Sequence, residues 1–305
     1  MKRGRIDVMT GVHPLPAWIR QEYPFAPRRF VTPGGAQMSY LDEGGTGGEA
    51  VLMLHGNPTW SYYYRHLVRA LAPSIRCIVP DHIGMGASEK PAGYDYTLAT
   101  RIADVGALVE SLGLRRVHLV VHDWGGAIGF GFAARQPGLI GRIVILNTAA
   151  FAVNRIPARI ALCKLPGFGP LIVRGLNAFA GPAVRMAMHR RTLSLDEKRG
   201  YLWPYRSWSE RVAVSAFVRD IPLRPSHPTW GTLAAVEREL AQFRDRPALV
   251  CWGGRDFCFN DVFLDRWREV LPQAEVQRIA DAGHYVLDDA REDVIPAVTA
   301  FLRPV

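Results

Sequence analysis

The apolar residues of this chain gather into short continuous runs separated by longer stretches of mixed polarity. Ala50–Leu54, Ile75–Pro80, Val117–Val121, Arg142–Leu146 and Ala248–Trp252 are the main runs. Short apolar segments rich in Val and Ile and bounded by turn residues predict strands buried on both faces. Arg29–Thr32 and Gln37–Leu41 flank a Pro-Gly-Gly turn and predict an opening hairpin. Val276–Ala280 is also strand-like. Helical patterns fill Tyr62–Leu71, Ala99–Leu112, Ala127–Arg135, Asp261–Val270 and Asp289–Leu302. This alternation predicts an α/β fold, a parallel sheet with helices on both faces. It stops between about Ala150 and Trp230, where Pro157, Pro166, Pro170, Pro182, Pro204, Pro222, Pro225 and Pro228 separate apolar, basic pieces such as IPARIALCKL and GPLIVRGLNAF. We read this stretch as a helical cap, residues 150–230, inserted into a core of residues 1–149 and 231–305. A cap packed on the sheet is favoured there over an amphipathic helix lying on a membrane.

Composition adds exclusions. With 49% hydrophobic and 21% charged residues over 305 positions, the chain is too apolar to be disordered and long enough to bury a large core. No run approaches the ~18 apolar residues of a membrane span. The N-terminal MKRGRIDVMTGVHPLP lacks the apolar stretch of a signal peptide, so a cytoplasmic location is expected. Cys77, Cys163, Cys251 and Cys258 are widely spaced, which fits reduced thiols. The net charge of +9 is localised: residues 152–224 hold 13 Lys/Arg and 4 Asp/Glu, and the rest holds 24 of each. No helix-turn-helix, zinc spacing or RNA-binding signature accompanies it, so nucleic acid is not the expected partner. A basic insertion on a neutral core suits an acidic surface, partner or substrate.

The candidate chemistry begins at Val121-His122-Asp123-Trp124-Gly125-Gly126, which follows a strand and opens a helix. That is the context of a nucleophile elbow, with Asp123 where hydrolases commonly carry serine; Val121 departs from the small residue usual two positions before the nucleophile. The competing reading is an Asp that caps the following helix. A carboxylate nucleophile selects saturated carbon, because attack there gives an ordinary ester rather than an anhydride. The leaving group is then a halide, an epoxide oxygen or another strained ring oxygen. His55-Gly56-Asn57-Pro58-Thr59-Trp60 follows the strand Ala50–Leu54 and suits an oxyanion loop. Backbone N–H groups of Asn57 and Trp124 could form that hole, and their side chains add two neutral donors for a weakly basic anion. The general base is expected at His284, in Asp281-Ala282-Gly283-His284. Its orienting acid is expected at Asp256, directly after a strand, ahead of Asp261 and Asp265 on a helix. His55 and His122 read as packing or loop residues, and Asp81-His82-Ile83-Gly84-Met85-Gly86 as a structural turn. No residue spacing calls for a metal or a cofactor.

The pieces HGNPTWSYYYR, DHIGMGASEKP, VHDWGGAIG, WGGRDFCF and AGHYVLDD, in that order, resemble the haloalkane dehalogenase branch of the α/β-hydrolase fold. The resemblance runs from about Tyr23 onward and is weakest in the cap. It implies an eight-stranded, mostly parallel sheet with an inserted helical cap. It implies Asp123 as nucleophile, His284 as base, Asp256 as acid, and Asn57 with Trp124 as leaving-group stabilisers, an arrangement similar to the third dehalogenase subfamily. The β-lactone decarboxylases of bacterial long-chain olefin biosynthesis share these five residues. The cap pieces YLWPYRSW and FVRDIPLRPSHPTW look more like those enzymes. The leading expectation is therefore decarboxylation of a cis-3-alkyl-4-alkyl β-lactone (oxetan-2-one) to a cis-olefin and carbon dioxide. Haloalkane hydrolysis is the alternative. Epoxide hydrolysis, with Tyr201 or Tyr205 as proton donor, ranks third. The implied ligand is a small hydrophobic substrate with long alkyl chains. Assembly with other enzymes of the pathway and peripheral membrane contact through the basic cap accompany that expectation.

Overall fold

The computed structural model describes residues 15–303; the N-terminal segment searched above for a signal peptide therefore lies almost wholly outside the described residues. Eight strands form one sheet: β1 (Arg28–Val31), β2 (Gln37–Glu43), β3 (Glu49–Leu54), β4 (Arg76–Pro80), β5 (Arg116–Asp123), β6 (Ile140–Thr148), β7 (Ala248–Gly253) and β8 (Glu275–Ile279). Their order is β1-β2-β4-β3-β5-β6-β7-β8. The β1–β2 and β2–β4 pairs are antiparallel and the remaining pairs parallel. Each expected strand is present. β6 runs two residues past the predicted Leu146, through Asn147 and Thr148.

The central strands are mostly apolar because both faces are covered. Leu52, Leu54, Leu119, Val121, Ile143 and Ile145 belong to the core on one face. Val51, Met53, Val120, Val144 and Leu146 point to the core on the other. Helices Leu98–Ser111, Trp124–Arg135 and Trp230–Glu239 pack together, and Arg65–Leu71 packs with Arg291–Leu302. Two predicted helices are shorter than their patterns. Ser61–Tyr64 forms a tighter 3-10 turn before the helix Arg65–Leu71. The C-terminal helix starts at Arg291 rather than Asp289, because the Ala290 backbone is non-helical, and a separate short helix, Val286–Asp289, precedes it.

Between β6 and β7 the chain is helical, from Ala158–Lys164 to Val212–Asp220 and Trp230–Glu239. A carboxylate network ties this insertion to the loop after β8. Asp289 is buried and accepts four backbone N–H bonds, from Gly283 (2.6 Å), His189 (2.8 Å), Arg190 (3.2 Å) and Arg191 (3.0 Å). Beside it the buried Arg65 pairs with Asp288 at 2.9 Å and Glu197 at 3.3 Å. Glu197 also closes the capping box of helix Leu195–Leu202 with Ser194. Among the described residues, no helix is long and apolar enough to cross a membrane.

Removing the Asp289 carboxylate would leave buried N–H groups unpaired in two segments at once. We expect Asp289→Ala to lower unfolding free energy by about 3 kcal/mol, read from the urea midpoint at unchanged m-value.

Candidate active site

The site forms where the parallel strands end at their C-terminal edge, the usual place for ligands in such sheets. β5 delivers Asp123 into a turn with φ 52° and ψ −126°, a conformation that non-glycine residues rarely adopt. Close packing holds that turn. A Cβ on residue 125 would lie 1.9 Å from the Leu54 carbonyl oxygen, and one on residue 56 would lie 2.0 Å from Asp123 Oδ1. Gly125 and Gly56 thus let β3, the elbow and the carboxylate share one space. Val121 fits despite its bulk because Gly129 leaves room: a Cβ there would meet Val121 Cγ1 at 2.7 Å. Asp123 heads the helix Trp124–Arg135 but makes no side-chain capping bond. Its Oδ1 instead accepts the Asn57 N–H at 2.6 Å.

The other four expected residues gather around it. His284, in the loop after β8, places Nε2 3.7 Å from Asp123 Oδ2. Its Nδ1–H donates to Asp256 Oδ2 at 2.7 Å. Asp256 is itself fixed by the Cys258 N–H at 2.6 Å on Oδ1. Asn57 turns its side-chain amide toward the insertion and donates to the Val214 carbonyl at 3.2 Å. Trp124 is partly buried against Phe217, and its indole N–H has no protein acceptor among the described residues. Asp261 and Asp265 lie elsewhere, paired with Arg278 and Arg268.

All five residues line or support one cavity of about 430 Å³. Asn57, Asp123, Trp124 and His284 face it, and apolar side chains such as Phe151, Ile160, Phe179, Leu233 and Phe259 make most of its wall. Burial pushes the Asp123 carboxyl above the usual range, opposed by His284 and by the Asn57 and Trp124 N–H groups. Burial pulls His284 down, but Asp256, through charge and hydrogen bond, and then Asp123 carry it above the ordinary imidazole range.

The remaining histidines of interest are structural. His122 Nε2 lies 2.9 Å from the His284 carbonyl, and burial holds its ring well below the ordinary range. His55 accepts from the His82 N–H at 3.1 Å and is held down, to about 4, by burial. Asp81 anchors its turn through the N–H groups of Ser61 (2.7 Å) and Ala87 (2.9 Å). Tyr201 bonds Asp288, and Tyr205 bonds the Thr59 carbonyl; neither lines the cavity. That placement removes the proton donors expected for epoxide opening. His66, Glu197 and Asp288 approach within 4.8 Å of one another, but the Arg65 guanidinium already neutralises that group.

Three supporting residues are absent from the sequence reading. Asn147 brackets β7, accepting the Gly253 N–H at 2.8 Å and donating to the Gly253 carbonyl at 3.1 Å, just before Asp256. Asp289 holds Gly283, next to His284. Val214 reaches Asn57 from the insertion through its backbone. The only sequence signal for Asn147 was its place at a strand end, and nothing local marks the other two.

The chain belongs to the α/β-hydrolase fold family, whose model matches residues 49–290. It is 45% identical to the cis-3-alkyl-4-alkyloxetan-2-one decarboxylase of Xanthomonas campestris, over 92% of this chain and 97% of that one. It is 44% identical to the enzyme of that name from Shewanella oneidensis, over 90% and 88%. Haloalkane dehalogenase 2 of Mycobacterium tuberculosis is 28% identical over 91% and 95%. The structure superposes on haloalkane dehalogenase DbeA from Bradyrhizobium elkani with a TM-score of 0.81 at 26% identity, covering 91% of this chain and 97% of that one.

The folded state favours charged His284. Its contribution to stability is complete below the ordinary imidazole value of ~6.5 and is lost as pH rises through the higher folded value. An NMR titration of the His284 ring is expected to show a midpoint above ~6.5. In Asp256→Asn the midpoint should fall, because the raising charge is gone; an unchanged midpoint would refute the assignment of cause.

Proposed function

We propose that this chain decarboxylates cis-3-alkyl-4-alkyl β-lactones to cis-olefins through covalent catalysis by Asp123. The observation that carries this reading is the pair of decarboxylase relatives at 44% and 45% identity across nearly the whole chain, against 28% for the dehalogenase. The site supports it with a buried, ionisable nucleophile that faces an apolar cavity sized for alkyl chains. We assign residues 150–230 as the cap and 1–149 with 231–305 as the core, because helix Trp230–Glu239 packs on the helix after Asp123.

The steps balance without a cofactor. Asp123 Oδ2, the oxygen not held by Asn57, attacks the ring carbon that carries oxygen. The carbon–oxygen bond breaks with inversion, and its electrons remain on a free carboxylate attached to the neighbouring carbon. The Trp124 indole N–H and the second Asn57 amide hydrogen hold that carboxylate. The bond to carbon dioxide then breaks, its electron pair forms the double bond, and the bond to Asp123 returns its pair to the carboxylate. Inversion followed by anti-elimination converts a cis-lactone to a cis-olefin. His284, oriented by Asp256 and in its protonated form, stabilises the anionic groups as they exchange charge. The reading also carries a cytoplasmic site of action and assembly with the enzyme that supplies the lactone.

Haloalkane hydrolysis remains the second reading, favoured by the fold match to dehalogenases. Product analysis separates the two. We expect cis-olefin from a cis-3,4-dialkyl β-lactone, reduced more than about a thousandfold in Asp123→Ala. Alcohol and bromide from a 1-bromoalkane, with the lactone untouched, would establish the dehalogenase instead. A single turnover in heavy-oxygen water gives an independent readout. Hydrolysis of the ester at its carbonyl leaves label in Asp123, whereas decarboxylation leaves none.

A further inference from the structure

The outer surface of the insertion is unlike the rest of the molecule. Residues 152–189 contain Arg155, Arg159, Lys164, Arg174 and Arg185 and no Asp or Glu. Among the described residues none of these five cations forms an ion pair, whereas Arg190 and Arg191, immediately after them, pair with carboxylates. The same stretch exposes large apolar side chains: Leu162 (47%), Leu165 (48%), Phe168 (47%), Leu171 (57%) and Leu176 (77%). These sit on, or directly after, consecutive short elements that pack on one another, Ala158–Lys164, Phe168–Pro170 and Leu171–Gly175. Trp208 extends the patch. It is 46% exposed, and the Arg174 guanidinium lies 4.5 Å from its ring.

This surface adjoins the cavity. Helix Ala158–Lys164 turns Ile160 and Cys163 into the cavity and Leu162 outward. Arg155 and Arg159 are exposed and also line the cavity, so they stand at its mouth. Arg159 crosses that mouth, with its guanidinium 4.8 Å from the Phe257 ring and Nη1 3.2 Å from Met186 Sδ.

We propose that this face docks the protein on an anionic lipid bilayer, with the cavity mouth turned toward the lipid. Protruding leucines and a phenylalanine would enter the headgroup boundary, and the unpaired cations would meet lipid phosphates. The occupant is argued from charge: the stretch has no Asp or Glu and, among the described residues, five cations outside any ion pair. Of these, Arg155, Arg159 and Arg185 are exposed, while Lys164 and Arg174 donate to backbone carbonyls. Such a stretch suits an anionic counterpart. The apolar residues stand out from the packed insertion, each 47–77% exposed. That shape suits a fluid surface, which requires no shape complementarity, better than a folded partner, which does. A ligand that fills so apolar a cavity partitions into bilayers, so a mouth held at the membrane shortens its path through water. The inference goes beyond the reaction and does not depend on which bond is broken.

Vesicle co-sedimentation of the full chain tests it without substrate. We expect binding to phosphatidylethanolamine–phosphatidylglycerol vesicles, weak binding to phosphatidylcholine, and loss of binding as salt rises. The triple variant Leu165→Ser, Phe168→Ser, Leu171→Ser should bind anionic vesicles at least about tenfold more weakly. Its turnover of a short-chain, water-soluble lactone should match the unsubstituted protein, because none of the three residues lines the cavity. Failure of the unsubstituted protein to bind at low salt would overturn the proposal, as would equal binding by the triple variant. Sedimentation velocity supplies the remaining outcome. If the substitutions dissolve a dimer and leave vesicle binding unchanged, the patch joins two copies of this chain and the proposal fails.

Discussion

On the proposed reading a carboxylate must stay ionised and poised inside a largely apolar cavity, and the rest of the site answers to that demand. Burial pushes the Asp123 carboxyl above the usual carboxylate range. The Asn57 N–H at 2.6 Å, the Trp124 N–H and the His284 ring oppose it. Those donors reach the carboxylate only because the backbone at Asp123 adopts a strained turn, and the turn persists only where β3 and the following helix approach closely. Gly56 and Gly125 follow from that approach. Each lies where a single added carbon would sit about one bond length too near an oxygen.

Around the elbow, positioning is passed from loop to loop by amide and carboxylate groups rather than by apolar packing. Asn147 ties the end of β6 to the end of β7, from which Asp256 projects. Asp289 ties the residue before His284 to the insertion, at His189, Arg190 and Arg191. Val214 fixes the Asn57 side chain from above. The insertion therefore shapes the cavity wall and also helps set the orientation of groups that belong to the core.

The parts of this arrangement that were legible in sequence are those set by local chain geometry. The elbow shows as a strand, a nucleophile and two glycines in succession. Asp256 and Gly283-His284 show as polar residues placed directly after apolar strands. Asn57 shows as part of a glycine loop after β3. Contacts between distant segments were not legible. Asp289 is one of two adjacent aspartates, and nothing in DD distinguishes the one that collects four N–H groups from the one that meets Arg65 and Tyr201. Val214 acts through its carbonyl, which every residue possesses. Tyr201 and Tyr205 had the right chemistry for epoxide opening and the right segment, yet their hydroxyls turn to Asp288 and Thr59. Side-chain direction within a cap of short, Pro-broken helices depends on packing that no periodicity encodes.

The charge on His284 bears on why one constellation can serve two reactions. A hydrolase needs this imidazole neutral, so that Nε2 can take a proton from the water that attacks the ester. Here Asp256 and Asp123 together carry the ring above the ordinary imidazole range, so the folded site shifts the balance toward the cation. A cation beside Asp123 is a poor base and a good counter-ion. On the proposed reading that suits the lactone, whose ring-opened carboxylate stays bonded to the carbon next to the ester. Elimination from there is intramolecular and needs no water and no proton transfer, so it does not call on the base that ester hydrolysis requires. A halide, once expelled, leaves only the ester, and turnover then needs the neutral imidazole as a base for water. The same five side chains thus give different products according to whether the leaving group departs or remains attached.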